Sequence, residues 1–260
     1  MARADASILI FRPMKSATPN RIISTEDQRQ KPVYSIPEAA SYLRIPIKTL
    51  YEWTLGRQKR GGGTYDPVLQ FVDRNTNRLS FYDLVEAHIL RAAVDKNVPL
   101  QQLRKGLAFL REKHPLNLRP LLTYDFLTDG KYLLVAGMLG PRSKDREALV
   151  NASGHGQLVS RPVVEPALEQ LMTSLEEYFR LVGRDKKTKL PTTLFPRDGE
   201  KIVSITSGVF SGRPVIEGTR IPTSVIAQRF QAGEDVKALA KDYRIAREKI
   251  EAALKYEQAA

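Results

Sequence analysis

The sequence of 260 residues contains no cysteine and only three histidines, His88, His114 and His155. Without cysteine the chain has no disulfide bonds and no thiolate chemistry, and the histidines do not follow the spacing of a zinc site. Neither a Walker A motif nor a Gly-x-Gly-x-x-Gly motif occurs, so no nucleotide-binding loop is indicated. We therefore expect no metal ion, no cofactor and no enzymatic activity.

Long apolar runs are missing as well. The longest, residues 8–11 and 132–136, are far shorter than the ~20 residues that cross a bilayer. The N-terminal residues do not have the pattern of a secretory signal peptide. They contain arginine and few acidic residues, so a transit peptide is an alternative to the flexible segment that we expect over residues 1–30. We expect a cytoplasmic protein without membrane contact.

Positive charge is in excess along the chain. There are 41 Lys and Arg against 29 Asp and Glu, a net charge of +12, and most of the excess lies in the first 115 residues. A basic protein favours polyanionic partners such as nucleic acid or an acidic protein surface. Charge alone does not decide between them, because many proteins are basic without binding nucleic acid.

The pattern of helices and strands predicts an α+β fold that is mainly helical. We expect a winged helix-turn-helix over residues 31–115, a connecting region over residues 116–200 and a C-terminal three-helix, helix-turn-helix-like domain over residues 201–260. In the connecting region, apolar residues 121–126 and 131–137 flank an Asp-Gly pair, which predicts a hairpin. A helix is predicted from Pro166 to about residue 181, and residues 184–189 are interpreted as a basic, solvated linker.

A helix-turn-helix is predicted to begin near Tyr34. Ser35 and Glu38 match a capping box, and Ile45-Pro46 separates the first helix from a second one. Two short helices joined by a tight turn are typical of a module whose second helix enters the major groove of DNA. The second helix is predicted to bury one face, formed by residues spaced three apart: Ile47, Leu50 and Trp53.

A wing is predicted behind the second helix. Gly61-Gly62-Gly63 indicates a flexible loop, and residues 68–72 and 78–81 are interpreted as two strands around residues 73–77. The segment from Ser80 to Asp83 is predicted to cap the helix that follows, and another helix is predicted over residues 100–113. The resemblance to MerR-type winged helix-turn-helix regulators covers about 80 residues. It rests on this order and on two segments, Tyr34-Ser35-Ile36-Pro37-Glu38-Ala39-Ala40 and Thr49-Leu50-Tyr51-Glu52-Trp53. The chain departs from that family after His114, where strands replace the expected dimerising coiled coil.

Basic and polar residues of this module are the predicted DNA contacts. Phosphate contacts from a wing position a protein on DNA without specifying sequence. Some helix-turn-helix modules bind only proteins, but the local density of Lys and Arg favours DNA. The candidates lie on the second helix, behind it and on the wing: Lys48, Thr49, Tyr51, Arg57, Lys59, Arg60, Arg74 and Arg78.

The most distinctive stretch spans residues 212–222. It reads Gly212-Arg213-Pro214-Val215-Ile216-Glu217-Gly218-Thr219-Arg220-Ile221-Pro222, and three short helices are predicted behind it. Phe230 is predicted to face inward on the first of these helices, and Asp235 is predicted to cap the second. The stretch and its helices resemble a bacterial domain of unknown function found in antitoxins of VapBC-like toxin–antitoxin pairs. The resemblance implies a type II antitoxin that neutralises a PIN-like ribonuclease toxin and represses its own operon by binding operator DNA. We expect a homodimer, the common solution for operator binding.

Four residues of this stretch are candidates for toxin binding or for a structural role: Arg213, Gly218, Thr219 and Arg220. An arginine can bind carboxylates of a metal-dependent nuclease in bidentate fashion. The alternative is that Arg220 braces its own loop through an internal ion pair. The outer positions of the last helix alternate in charge, which favours a protein partner over DNA for this unit.

Two further functions remain open from the sequence. The chain could be a stand-alone MerR-like transcriptional regulator whose last domain dimerises or senses a ligand. It could also be a protein-interaction module without a DNA role. Rescue from the toxin separates the antitoxin from the regulator, and salt-dependent DNA binding separates both from the third function.

Overall fold

A computed structural model describes residues 23, 26–58, 61–69, 73, 75–95, 97–113, 119–123, 126–128, 133–135, 149–151, 157–159, 178, 180–196 and 201–258. The described part is a mixed structure of helices and strands, about half of it helical. The predicted mixture is confirmed, with a larger share of strand than a mainly helical fold implies. None of the helices in these ranges is long and apolar enough to cross a membrane. The expected flexible segment over residues 1–30 falls mostly outside the described residues.

The described N-terminal part contains two short helices, four short strands and two longer helices before the chain reaches residue 119. Helix α4 has the bounds that the sequence predicts. The elements in chain order are a 3₁₀ turn (Gln28–Gln30), β1 (Pro32–Ser35), α1 (Ile36–Leu43), α2 (Ile47–Leu55), β2 (Arg57–Gln58), β3 (Thr64–Tyr65), β4 (Arg78–Ser80), α3 (Phe81–Asp95), α4 (Leu100–Lys113) and α5 (Pro120–Thr123).

Helix α3 is the centre of the N-terminal core. Most of its side chains are buried, whichever way they face. It starts at a predicted capping box, in which the Ser80 N–H donates to Asp83 Oδ2 at 2.7 Å and the Asp83 N–H donates to Ser80 Oγ at 3.2 Å. Asn97, in the left-handed conformation (φ 63°), turns the chain into α4. Helix α4 packs against this core through Leu103, Leu107 and Leu110.

A buried ion-pair cluster joins α3 to the start of α5. Arg119 Nη1 lies 2.8 Å from Asp83 Oδ1 and 2.6 Å from Glu86 Oε2, and no side chain of the three is more than 4% exposed. Burial raises the pKa of Glu86 to about 7, because the loss of hydration outweighs the attraction of the Arg119 guanidinium. No sequence pattern marked this cluster, since Arg119 lies 36 residues from Asp83.

The raised pKa of Glu86 predicts that stability falls as pH rises towards neutral. Between its ordinary pKa of 4.5 and the raised value of about 7, Glu86 holds more protons in the folded than in the unfolded chain. The free energy of unfolding should therefore decrease by up to about 1.4 kcal/mol per pH unit in this window. Urea unfolding at several pH values measures the slope. Glu86→Gln should flatten it, and an unchanged slope in that variant would contradict the assignment.

The middle of the chain contains an antiparallel four-stranded meander. The hairpin predicted around residues 129–130 is confirmed, since Phe126 pairs with Val135 across it. The first predicted strand begins too early, because residues 120–123 form α5. The helix predicted from Pro166 falls almost entirely outside the described residues. The strands, adjacent in chain order, are β5 (Phe126–Thr128), β6 (Leu133–Val135), β7 (Leu149–Asn151) and β8 (Gln157–Val159).

A second four-stranded antiparallel sheet crosses residue 200. Two of its strands precede that residue and two follow it, in the order β12-β11-β10-β9. The interpretation of residues 184–189 as a solvated linker is wrong: they turn β9 into β10, and the Asp185 carboxylate accepts the N–H groups of Lys187 and Thr188 at 2.9 and 2.7 Å. The strands are β9 (Val182–Arg184), β10 (Pro191–Leu194), β11 (Val203–Thr206) and β12 (Val215–Ile216).

Three helices follow this sheet around a second, smaller core. They are α6 (Thr223–Gln231), α7 (Val236–Tyr243) and α8 (Arg247–Gln258). Asp235 caps α7 as predicted, by accepting the Ala238 N–H at 2.6 Å. The prediction that Phe230 faces inward is wrong, since it is 39% exposed. The buried residues of this core are Ile216, Ile226, Leu239, Ala240, Ile250, Ala253 and Leu254.

The α7–α8 pair repeats the turn geometry of the α1–α2 pair. Arg44 (φ 54°, ψ 40°) and Arg244 (φ 54°, ψ 43°) each end the first helix in the left-handed conformation. The next residue, an isoleucine in both pairs, donates its N–H to the carbonyl of Ala40 or Ala240 at 3.0 or 3.1 Å. The chain thus contains two helix-turn-helix turns of the same backbone conformation.

Candidate nucleic-acid interface

The first helix of the N-terminal pair begins at a complete capping box. The Ser35 N–H donates to Glu38 Oε2 at 2.9 Å, and the Glu38 N–H donates to Ser35 Oγ at 3.3 Å. Burial alone would raise the pKa of Glu38, but the hydrogen bonds from Ser35 outweigh it and the pKa is lowered. Glu38 is therefore a charged acceptor, and the predicted capping box is confirmed.

Helix α2 is anchored to the rest of the chain by one face. Leu50, Trp53 and Thr54 on this face are buried. The Trp53 carbonyl accepts the N–H groups of Val68 and Leu69, both at 2.9 Å, so the segment after β3 is tied beneath the helix. This anchoring fixes the orientation of α2 and directs its opposite face away from the protein.

The prediction that Ile47 is buried with Leu50 and Trp53 is wrong. Ile47 is 48% exposed, and it lies in one row with Tyr51 (40%) and Leu55 (43%), each four residues from the last. Each residue advances by about 100° around a helix. Trp53 is six residues after Ile47, so the two side chains lie roughly 120° apart around the helix axis. We call Ile47, Tyr51 and Leu55 the apolar row.

Two predicted contacts border the apolar row on α2. Lys48 is exposed, next to Ile47 at the start of the helix. Thr49 is half-buried at the edge of the anchored face. The outer face of α2 therefore combines one exposed cation with three exposed apolar side chains, a combination that the sequence did not predict.

A hairpin follows α2 directly. Strands β2 and β3 pair antiparallel with Arg57 opposite Tyr65, and residues 61–63, which were expected to form a flexible loop, join the strands. Gly56 has φ 88°, and a Cβ there would lie 2.5 Å from the Tyr65 carbonyl oxygen, so only glycine fits. The Arg57 side chain is 59% exposed and lies 3.7 Å from Glu52. Two further predicted contacts fall outside the described residues: Lys59 and Arg60.

The predicted wing has a different strand partner. Strand β4 pairs with β1, with Arg78 opposite Ser35. Of the predicted first wing strand, Val68 and Leu69 lie outside any strand and residues 70–72 fall outside the described residues. A tight turn remains at residues 73–78, closed by the Asp73 N–H donating to the Arg78 carbonyl at 3.1 Å. The exposed Arg78 guanidinium donates to the Val33 carbonyl at 2.9 Å, which holds it beside β1. Arg74 falls outside the described residues.

The stretch at residues 212–222 forms β12 and a tight loop. Thr219 donates to the Ile216 carbonyl from its N–H at 3.0 Å and from its hydroxyl at 2.7 Å, while Gly218 has a positive φ of 76°. These contacts give Thr219 and Gly218 a structural role. Arg213 and Arg220 are exposed. Arg220 forms no ion pair with any carboxylate that the structure describes, which argues against the alternative of an internally braced loop.

The C-terminal unit is docked on the first helix-turn-helix. Tyr256 is 1% exposed; its hydroxyl donates to the Tyr42 carbonyl at 3.2 Å, and Arg44 Nη2 donates to the Tyr256 carbonyl at 3.3 Å. Burial raises the pKa of Tyr256, so its hydroxyl stays a neutral donor. Gly212 lies so close to Tyr34 that a Cβ at position 212 would be 2.2 Å from the Tyr34 hydroxyl oxygen, too close for any larger residue. Sequence periodicity could not reveal this docking, which uses α1 and the turn and leaves the apolar row exposed.

Two family models match separate parts of the chain. A model described as "Putative DNA-binding HTH domain" matches residues 32–107, from β1 to the middle of α4. A model described as "Protein of unknown function (DUF433)" matches residues 203–256, from β11 into α8. The chain therefore has two separate regions of similarity, one to each of these families.

Whole-chain similarity extends to proteins of Mycobacterium tuberculosis (strain ATCC 25618 / H37Rv). The chain is 27% identical to "Putative antitoxin VapB45" over 238 residues, which covers 86% of this chain and 92% of that protein. It is 24% identical to "Uncharacterized protein Rv2308" over 246 residues, or 90% and 93% of the two chains. These similarities fit an antitoxin or a DNA-binding regulator.

One solved structure shares the fold. The X-ray crystal structure of Rv2018 from Mycobacterium tuberculosis matches with a TM-score of 0.55 and 22% identity. The match covers 86% of this chain and 98% of that one, so the likeness extends over most of both folds.

Proposed function

We propose that the chain is a type II antitoxin that binds its own operator DNA and neutralises a PIN-like ribonuclease toxin. In this proposal the MerR-like N-terminal module represses the operon, and the chain has no catalytic activity. The observation that carries the DNA-binding role is the exposed outer face of α2, with Lys48 on the helix and Arg57 directly behind it. The helix-turn-helix match and the similarity to an antitoxin support the proposal.

The two helix-turn-helix pairs differ in the charge that they expose. Lys48 and Arg57 are the exposed charges of α2 and β2, and both are cationic, while Glu52 is half-buried. The charged side chains that α8 exposes are Arg247, Glu248, Glu251 and Lys255, two of each sign. Phosphates attract the first surface and are partly repelled by the second. We therefore assign DNA to α2 and a protein partner to the C-terminal unit.

DNA binding should weaken steeply with salt. If a dimer neutralises about six phosphates, affinity for the promoter of its own gene should fall roughly a thousandfold between about 50 and 200 mM salt. Arg57→Ala should weaken binding to all sequences and reduce the salt slope by about one per protomer, or about two for the dimer. Fluorescence anisotropy with a labelled promoter duplex measures both. Absence of binding at about 50 mM salt would contradict the DNA-binding role.

Toxin neutralisation predicts rescue of growth. PIN-like nucleases bind metal through clustered carboxylates, so a basic inhibitor is complementary to their active site. Co-expression of the chain with the nuclease encoded beside it should restore growth, and the Arg213→Ala/Arg220→Ala variant should lose rescue while keeping its melting temperature. Failure of the wild-type chain to rescue growth, with DNA binding intact, would favour a stand-alone regulator.

A further inference from the structure

The base-reading capacity of α2 lies in its apolar row. Arg, Lys, Asn and Gln are the side chains that read guanine and adenine through paired hydrogen bonds, and Lys48 is the only one of them in the helix sequence from Ile47 to Leu55. The side chains that α2 exposes most are Ile47, Lys48, Tyr51 and Leu55. Direct readout by this helix therefore depends mainly on apolar contact.

The major groove offers one apolar group that such a row can recognise, the C5-methyl group of thymine. Ile47 and Leu55 are eight residues apart, about 12 Å along the helix axis at 1.5 Å per residue. That length corresponds to three or four base pairs at about 3.4 Å each. A row only one side chain wide also fits a groove better than it fits a flat protein surface.

We propose that the apolar row reads thymine methyl groups, so that the operator is rich in A·T pairs where α2 enters the major groove. This inference rests on the proposed DNA-binding role of α2. Lys48 and Arg57, beside and behind the row, face the phosphates that border the groove.

A second copy of the chain fits this surface less well. A twofold-symmetric contact places the same patch against itself, so Lys48 and Arg57 of both copies, four cations in all, would lie in or beside one interface. Like charges that are desolvated in an interface oppose association. On DNA the same cations meet opposite charge, and the apolar row is buried between them.

The test removes the methyl groups and nothing else. Duplexes are first selected from a random pool with the full wild-type chain, and the selected duplex is then synthesised with deoxyuridine in place of thymine. Each contacted methyl group contributes about fourfold in affinity, from the transfer free energy of one buried CH₂ group. We expect the wild-type chain to bind the uracil duplex about tenfold more weakly or worse.

Variants of the apolar row locate the effect. Ile47→Ala and Leu55→Ala should bind the thymine duplex more weakly and lose most of the discrimination against uracil. Val94→Ala, which truncates an exposed apolar side chain on α3, is the matched control and should discriminate like the wild-type chain. Circular dichroism melts verify that the exposed substitutions leave the fold intact.

Each other outcome overturns the inference in a distinguishable way. Equal wild-type affinity for both duplexes refutes methyl readout but leaves DNA binding standing. An unchanged uracil penalty in the row variants places the readout elsewhere. If the row variants become monomeric but still discriminate against uracil, the apolar row is a contact surface for a second copy of the chain. If no duplex is enriched at low salt, the proposed function fails together with the inference.

Discussion

Lys48→Glu should lower the affinity of the chain for its operator about a hundredfold at 0.1 M salt for each protomer that contacts the DNA. Each neutralised phosphate contributes roughly tenfold at this salt concentration through counterion release. In each protomer the substitution removes one cation and introduces one anion, a change of two charges on the exposed face of α2. The salt dependence of binding should become shallower by about two per protomer. Anisotropy titrations at several salt concentrations measure the affinity and the slope together.

Arg247→Glu provides the matched control for this experiment. Arg247 is the exposed first residue of α8, the helix that corresponds to α2 in the second helix-turn-helix. The same charge reversal there should change operator affinity by less than about threefold, since mainly long-range electrostatics act. A large loss with Arg247→Glu and none with Lys48→Glu would transfer the DNA-binding role to the C-terminal unit.

Arg119→Met should lower the free energy of unfolding by about 3 to 5 kcal/mol, because it leaves buried carboxylates without their counter-ion. Asp83 and Glu86 both lie within 3 Å of the guanidinium, and neither is more than 2% exposed. Methionine roughly conserves the apolar volume of the arginine stem, so the loss reports charge rather than a cavity. Near neutral pH the effect should lie at the lower end, since Glu86 can take up a proton there. Urea unfolding followed by circular dichroism measures it.

Two further variants show whether the loss arises from the buried cluster. Arg57→Met breaks an exposed pair at 3.7 Å and should change stability by less than about 1 kcal/mol. The double variant Arg119→Met/Glu86→Gln removes the cation together with one of the two carboxylates that it neutralises. This double variant should be more stable than Arg119→Met alone. A double variant that is no more stable than the single one would show that the cost comes from packing.

The sequence features that gave correct predictions are those whose interacting residues lie close together in the chain. The boxes at Ser35 and Ser80 and the cap at Asp235 each join residues three positions apart. The apolar pattern over residues 100–113 and the Asp-Gly turn between β5 and β6 are equally local. Such hydrogen bonds form wherever the local sequence allows them, so their residues can be recognised without a structure.

The candidate site was predicted only in part. Lys48 and Tyr51 are exposed on the helix where the sequence placed them. The exposure of Ile47 and Leu55 was missed, because spacing alone does not show which arc of a helix its neighbours cover. Arg78 was assigned to a wing, but β4 pairs with β1, a strand more than forty residues away in the chain. Strand partners at such distances depend on the packing of the whole core.

The sequence by itself determined the positions of both helix-turn-helix turns, the excess of positive charge around the first, and the loop of residues 212–222. All of these follow from residues within a few positions of one another. Only the tertiary structure decided which face of α2 is free, that Tyr256 docks the second unit on the turn at Arg44, and that Arg119 is buried between two carboxylates. These arrangements depend on burial between distant segments, and burial is a property of the folded chain rather than of any local pattern.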